Sequence, residues 1–499
     1  MRLNSKQICE YCGATVVVEP IDPRALSCGL TWDSRSVSPG DVYVALAGEK
    51  VDGHDFVADA LRAGAMIVLV TDRPNLETKL LAQEMGAAIF EVSNTASAIV
   101  DIARAWRKAL SAHVVALTGS TGKTTTKNLI RDVLKASFSV VATEGNQNNE
   151  LGVPKTLLRA NPETQVLVVE MGMRGRGQIS QLCEYVLPDS GLITNIGEGH
   201  IELLGSKDNI ALAKTELFEA LPDGKGRAFL NTKEEYAEFI QENSRLSQRR
   251  VELVCFGGKV DDEYLKNMPL DLKKDEEEQA LRPTSIVEQG AWADNISLNA
   301  QGCPCFTLHI DNEERACSVP LRGMHNVDNV CAAASVGASL GMDIDTIVEA
   351  LLHVEPERGR QELFRAPDGF VVIDDTYNAN PDSMRAALMM LASYDTKGKR
   401  IAVLGDMGEL GEYAQACHSA LGKLVYELGI DSLICVGELA RYIGQSALEA
   451  GMEPTKVELV DSVANALTCL DGVVFKDDVV LVKASRFMGL ERIVGGLVN

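Results

Sequence analysis

The sequence predicts three α/β domains in tandem: an N-terminal α/β unit, a central parallel sheet built around a phosphate loop, and a C-terminal Rossmann-like α/β layer. Three observations carry this. The chain has 499 residues, about three times the ~150 that a single ordinary core accommodates. Short β-rich runs alternate with helical patterns along most of it, the signature of a parallel sheet flanked by helices. One of those runs, at 113–118, feeds a glycine-rich turn that opens directly into a helix.

Residues 1–112 form the first unit. Here LTWDSRSVSPGDVYVALAGEKVDGHDF alternates short apolar runs with turn residues, and FVADALRAGAMIVLV reads as a helix leading into a strand. The second unit, 113–356, contains HVVALTG, SVVATEG, QVLVVEMG, GLITNIG, GRAFLNT and VELVCFG as successive strands. Parallel strands need crossover connections, so ligand-binding loops are expected at their carboxyl ends. Residues 260–285 interrupt this rhythm with a charge-dense segment poor in strand formers, which predicts an exposed insertion. A short β segment and a helix from about Asn326 follow. The third unit, 357–499, carries FVVIDD, RIAVLGDM, DSLICVGE and DDVVLVKAS as strands with helices between them.

Composition narrows the class. With 46% hydrophobic, 24% charged and 5% aromatic residues the chain has the profile of a globular protein. No apolar run approaches the roughly 18 residues that a membrane span requires, and the N-terminal stretch lacks a secretory-type apolar core, so a cytoplasmic protein without a membrane span is expected. A net charge of −23 without any dense Lys/Arg cluster argues against a nucleic-acid partner. The twelve cysteines are scattered. Cys9 and Cys12 lack the second pair that zinc requires, and Cys303 and Cys305 are too close in sequence to chelate well, which points to free thiols.

The most informative stretch is ALTGSTGKTTTKNLI. Glycines at 119 and 122 let the backbone turn tightly so that several N–H groups face phosphate oxygens, and the helix N-terminus adds positive potential. Lys123 is placed to reach the β and γ phosphates, and the Thr124 hydroxyl to ligate Mg²⁺. Leu117 stands where the usual spacing has its first glycine. Downstream, Glu170 ends a strand of the same sheet; it suits Mg²⁺, or pairs with Arg174. His200 lies in a loop after a strand, as a ligand or a structural hydrogen-bonder. Lys214 sits on a helix, where an ordinary lysine is solvated.

Together these motifs resemble the Mur ligases, the ATP-dependent amide ligases of peptidoglycan precursor synthesis. Their phosphate loop, TG-x-x-GKTT, matches Thr118, Gly119, Ser120, Thr121, Gly122, Lys123, Thr124 and Thr125, and explains the unusual spacing. GNQNNELGVPKTLL (145–158), DDTYNANPDSMRAAL (374–388), LGDMGELG (404–411), DSRSVSPGDVYVAL and GEKVDGHDF look like those of the member that joins D-alanyl-D-alanine to UDP-N-acetylmuramoyl-tripeptide. The resemblance extends over nearly the whole chain except 260–285.

What the resemblance implies is specific. The first unit would be the UDP-sugar domain, the second the ATP-binding domain, and the third the domain that binds the dipeptide and closes over ATP. Lys123 and Thr124 would hold ATP phosphates and a first Mg²⁺, with Glu170 as a further ligand, and His200 would help bind a second. Lys214 matches a lysine that is carbamylated by CO₂ in the family. Asn326 and Asn329 match adenine-side asparagines, although taken alone they read as helix caps. Arg360 matches an arginine that reaches ATP from the hinge or third domain, and Asp375 an acid near the ribose. Ser34 and Arg35 match the motif that holds the uridine diphosphate part. Asn148 and Asn149 fall in a loop facing the muramoyl peptide, and Tyr377, Asn378 and Asn380 in a motif facing the dipeptide.

Three positions depart from the family pattern: Thr215 where glycine is usual, Gly199 for alanine, and Ala484 for the glycine of a VKGSR-like segment. The implied reaction is attack of a peptide carboxylate on the γ phosphate, then capture of the acyl phosphate by an amine, in a protein expected to be a monomer. The rival readings are a sister ligase for another amino acid, a folate polyglutamylating ligase, and a P-loop protein that senses the precursor without ligating it.

Overall fold

The protein is described from a computed structural model over residues 1–48, 50–258 and 288–498. The segment 260–285, expected to be an exposed insertion, lies outside the described residues. Three separate sheets follow one another along the chain. The first runs Thr15–Val18, Ala88–Glu91, Ile67–Val70, Val42–Val44 and Leu30–Thr31, parallel except at Thr15–Val18.

The central sheet has nine strands: Val140–Ala142, Val166–Glu170, His113–Thr118, Ser190–Ile193, Arg227–Asn231, Glu252–Gly258, Glu288–Leu298, Pro304–Ile310 and Glu313–Ser318. The six strands predicted from the sequence are all present and pair in parallel. Their residues are buried on both faces, which is why they read as continuous apolar runs rather than alternating ones. The last two strands return antiparallel, extending the sheet beyond the short β segment read from the sequence. From His113–Thr118 the chain first crosses to Val140–Ala142 and Val166–Glu170 on one side, then to Ser190–Ile193 on the other. Such a reversal leaves a crevice at the strand carboxyl ends.

The third sheet orders Glu362–Arg365, Val371–Asp374, Val479–Lys483, Arg400–Gly405, Ser432–Val436 and Val457–Val460, with the first strand antiparallel. Both edge strands escaped the sequence reading, because an edge is half-solvated; Glu458 and Leu459 are exposed in the middle of the last one.

One packing contact positions the site. Helix Lys123–Lys135 buries Leu129, Ile130, Val133 and Leu134 in the same core as Val330, Ala333 and Ala334 of helix His325–Ser339. Each large side chain so buried contributes roughly 1.5–3 kcal/mol. The pairing brings the start of the second helix against the phosphate loop. No helix among the described residues is long and apolar enough to cross a membrane.

Candidate active site between the central and third domains

The phosphate loop is held open by backbone geometry that only glycine permits. A Cβ on Gly119 would stand 1.8 Å from Thr194 Oγ1, and Gly122 sits at φ +75° with Asn329 Oδ1 2.9 Å from where its Cβ would be. Asn195, which the sequence reading passed over, pins the loop: its carbonyl accepts from Ser120 N at 3.0 Å. Its side chain accepts from Thr121 N at 2.9 Å and donates to Thr121 Oγ1 at 2.6 Å. The helix that follows has no side-chain cap, so its first N–H groups are left to an anion.

Lys123 is partly buried. Its Nζ donates to the carbonyls of Gly119 at 2.7 Å and Ser120 at 3.3 Å. Burial lowers its pKa, an effect that Glu170 opposes and Arg360 reinforces. Thr124 Oγ1 donates to Glu170 Oε1 at 3.4 Å and accepts from Arg360 at 2.9 Å. Asn148 Nδ2 donates to the same Glu170 oxygen at 2.8 Å. The other oxygen, Oε2, is buried without a hydrogen-bond partner among the described residues. A buried carboxylate oxygen of this kind calls for a cation. Among the described residues no group of three or more His, Cys, Asp or Glu is arranged to hold a metal by itself. The donor set of one hydroxyl and one carboxylate suits Mg²⁺, which fills its remaining positions with water and phosphate. Glu170 does not pair with Arg174, which instead stands 3.9 Å from Glu409. The cysteines are free thiols, Cys9 and Cys12 included.

Asn326 and Asn329 do not cap their helix, which starts after Met324 without a side-chain cap. Asn326 Nδ2 donates to the Arg322 carbonyl at 2.6 Å and its Oδ1 accepts from Asn329 at 2.9 Å. Thr126 of the phosphate-loop helix donates to Asn329 Oδ1 at 3.1 Å.

The third domain is docked on this site. Arg360, besides reaching Thr124, lies 4.1 Å from the Tyr377 ring centroid. Glu198 N donates to Asp382 at 3.3 Å, and His200 Nδ1 pairs with Glu409. Tyr377, Asn378 and Asn380 all line the cleft, although the Asn380 side chain caps helix Pro381–Ser393. The cleft encloses about 1730 Å³, well above the ~300–1,000 Å³ of a single-ligand pocket, so it has room for more than one substrate. Asn149 lies on its wall while its Oδ1 accepts from Gly152 N at 2.9 Å.

Asp375 is buried against Lys483, which the sequence reading missed, at 2.7 Å. Lys483 also donates to the Asn378 carbonyl at 3.0 Å. Burial raises the Asp375 pKa, and Lys483 partly offsets it. Lys483→Met should therefore cost about 3–5 kcal/mol in urea unfolding, the usual result of stranding a buried charge. A carboxyl whose folded pKa is raised loses stability as pH rises through that pKa, so the penalty should shrink from pH 8 to pH 5. An equal penalty at both values would remove the ion pair from the explanation.

Lys214, Ser34 and Arg35 fall outside the cleft wall, as do Thr118 and Gly119 at the start of the phosphate loop. Lys214 is buried on helix Lys207–Glu219, and its pKa is lowered well below the ordinary lysine value, by burial first and Lys123 second, with Glu234 opposing. Thr215 beside it turns its hydroxyl back to the Ala211 carbonyl at 2.8 Å. Ser34 and Arg35 form a short turn in the first domain, where Arg35 is exposed and pairs with Asp33 at 2.8 Å.

Comparison with known proteins agrees along the whole chain. Family models match in order: Mur ligase family, catalytic domain at 28–112; Mur ligase middle domain at 117–337; and Mur ligase, glutamate ligase domain at 359–486. The UDP-N-acetylmuramoyl-tripeptide–D-alanyl-D-alanine ligase of Mycobacterium bovis is 33% identical, over 100% of this chain and 98% of its own length. The crystal structure of MurF from Acinetobacter baumannii superposes with a TM-score of 0.80 at 28% identity, covering 100% of this chain and 99% of the other. MurF ligase from Thermotoga maritima in complex with ADP gives 0.73 at 25% identity, covering 94% and 96%. The chain belongs to the Mur ligase family.

Proposed function

We propose that this ligase adds D-alanyl-D-alanine to UDP-N-acetylmuramoyl-tripeptide at the expense of ATP, as a cytoplasmic monomer making a peptidoglycan precursor. The observation that carries it is the junction at Thr124, where one hydroxyl meets Glu170 of the central sheet and Arg360 of the third domain. Phosphoryl transfer depends chiefly on positioning and charge stabilisation, and this junction gathers a cation site and an arginine on the phosphate loop only in the docked arrangement. The full-length likeness to ligases of that name supports the choice of substrates.

In this reading Thr118 to Thr125 cradle the ATP phosphates, and Asn326 and Asn329 face the base. Lys123 and Arg360 stabilise charge on the transferring phosphoryl group, while Asp375, held by Lys483, faces the ribose. Thr124 and Glu170 hold one Mg²⁺, and His200 and a carbamylated Lys214 help to hold a second. Bound there, Mg²⁺ neutralises phosphate charge and orients the γ phosphate for in-line attack. The peptide carboxylate displaces ADP to give an acyl phosphate. The amine of the dipeptide adds to its carbonyl, and the tetrahedral intermediate collapses to amide and phosphate. Docking of the third domain keeps water from the acyl phosphate. Ser34 and Arg35 serve the uridine diphosphate part, Asn148 and Asn149 the muramoyl peptide, and Tyr377, Asn378 and Asn380 the dipeptide.

The test is Mg·ATP-dependent phosphate release with both substrates, omitting each in turn and weighing the product. Release that needs both, with a product heavier by the dipeptide, is expected. Turnover only with a different amine would assign a sister reaction, and nucleotide binding without any product would favour a sensor.

A further inference from the structure

The loop that follows strand Arg400–Gly405 carries Glu409, whose carboxylate the reaction above does not use. It reaches across the domain boundary to two residues that line the cleft: Oε2 pairs with His200 Nδ1, and Oε1 lies 3.9 Å from Arg174 Nε. The backbones dock as well, with Glu202 N donating to the Glu409 carbonyl at 3.3 Å. His200 at φ +67° and Glu409 at φ +60° both hold the left-handed conformation that non-glycine residues rarely adopt. Two such residues facing each other across one contact mark a geometry imposed by the surroundings. An ionised carboxylate only accepts hydrogen bonds, so a hydrogen bond within this pair requires the proton on His200 Nδ1. The other ring nitrogen, Nε2, has no hydrogen-bond partner among the described residues, and His200 lines the cleft.

We propose that Glu409 is a positioning residue for the cation ligand His200: it fixes the imidazole with Nδ1–H donated and the Nε2 lone pair free for a divalent cation, and does so only when the third domain is docked. The inference rests on the reading of His200 as a cation ligand. Histidines that bind metals commonly donate their second ring N–H to a carboxylate, and removing that carboxylate typically weakens metal binding about 10–100-fold. Here the carboxylate comes from another domain, so completion of the second cation site is tied to closure.

The experiment counts Mn²⁺ bound to the full chain by electron paramagnetic resonance, with a non-hydrolysable ATP analogue present. Wild type is expected to bind two ions, and His200→Ala one. Glu409→Ala should weaken the second ion about tenfold or more and leave the first unchanged. Glu409→Gln, whose amide oxygen still accepts from Nδ1–H, should stay within about threefold of wild type. Small-angle scattering should find Glu409→Ala as compact as wild type. Two ions in His200→Ala would remove the underlying reading. One ion in His200→Ala with an unweakened second ion in Glu409→Ala would overturn the positioning role alone. Equal weakening by Ala and Gln, or failure of Glu409→Ala to compact, would also overturn it, by assigning the effect to charge or to closure.

Discussion

Lys123→Ala is expected to abolish measurable turnover, with a fall in kcat on the order of 10³-fold or more, the scale set by removing a preorganised electrostatic donor. The lysine is partly buried near Glu170 and Arg360, with its ammonium held on the carbonyls of Gly119 and Ser120. Those carbonyls keep it over the turn until phosphate arrives, so little reorganisation is needed at the moment of transfer. Lowered pKa from burial means that the folded protein bears a cost for this charge. Removing it should therefore leave the unfolding midpoint unchanged or raised, which separates a chemical loss from a folding one. Phosphate release and thermal unfolding of the same preparation check both halves. Turnover within tenfold of wild type would exclude Lys123 from the reaction.

What was legible in the sequence is what local pattern encodes. The six parallel strands announced themselves because both faces are buried, and the phosphate loop because its turn needs glycine at positions 119 and 122. Glu170 followed from its place at a strand end. The groups that were missed owe their meaning to partners far away in the chain. Lys483 matters through Asp375, and Glu409 through His200 and Arg174. Nothing in the periodicity around Lys483 marks it as an ion-pair partner, since it ends a buried strand that reads as apolar. Asn195 is the intermediate case: it follows a strand of the right sheet, where loop residues meet ligands, but its work is on the phosphate loop itself. Asn326 and Asn329 are the converse case: taken alone, a helix start rich in Asn suggests capping, whereas their side chains join Arg322, Thr126 and each other.

Lys214→Ala should lower turnover by on the order of 10²–10³-fold, the effect of losing one electrostatic support of the transition state, and a small carboxylate such as formate or acetate should restore part of it. A lysine reacts with CO₂ only as the neutral amine, giving a carbamate and a proton. Burial and the nearby Lys123 both disfavour the ammonium form of Lys214, with only Glu234 opposing. No hydrogen bond or ion pair to its ammonium is found among the described residues, so the fold does little to keep the proton. Carbamylation replaces that cation with an anion, which reverses the sign of the Lys123 interaction and makes each group stabilise the other. The same reversal supplies the hard oxygen donors that Mg²⁺ prefers. A ¹³C resonance from labelled bicarbonate should appear in wild type and be missing in Lys214→Ala. Formate would rescue by standing where the carbamate oxygens stood, so rescue should saturate and should not occur in Lys123→Ala. A missing carbamate resonance together with no rescue would leave Lys214 as a buried structural lysine, its pKa lowered by burial and by Lys123 without any chemical use.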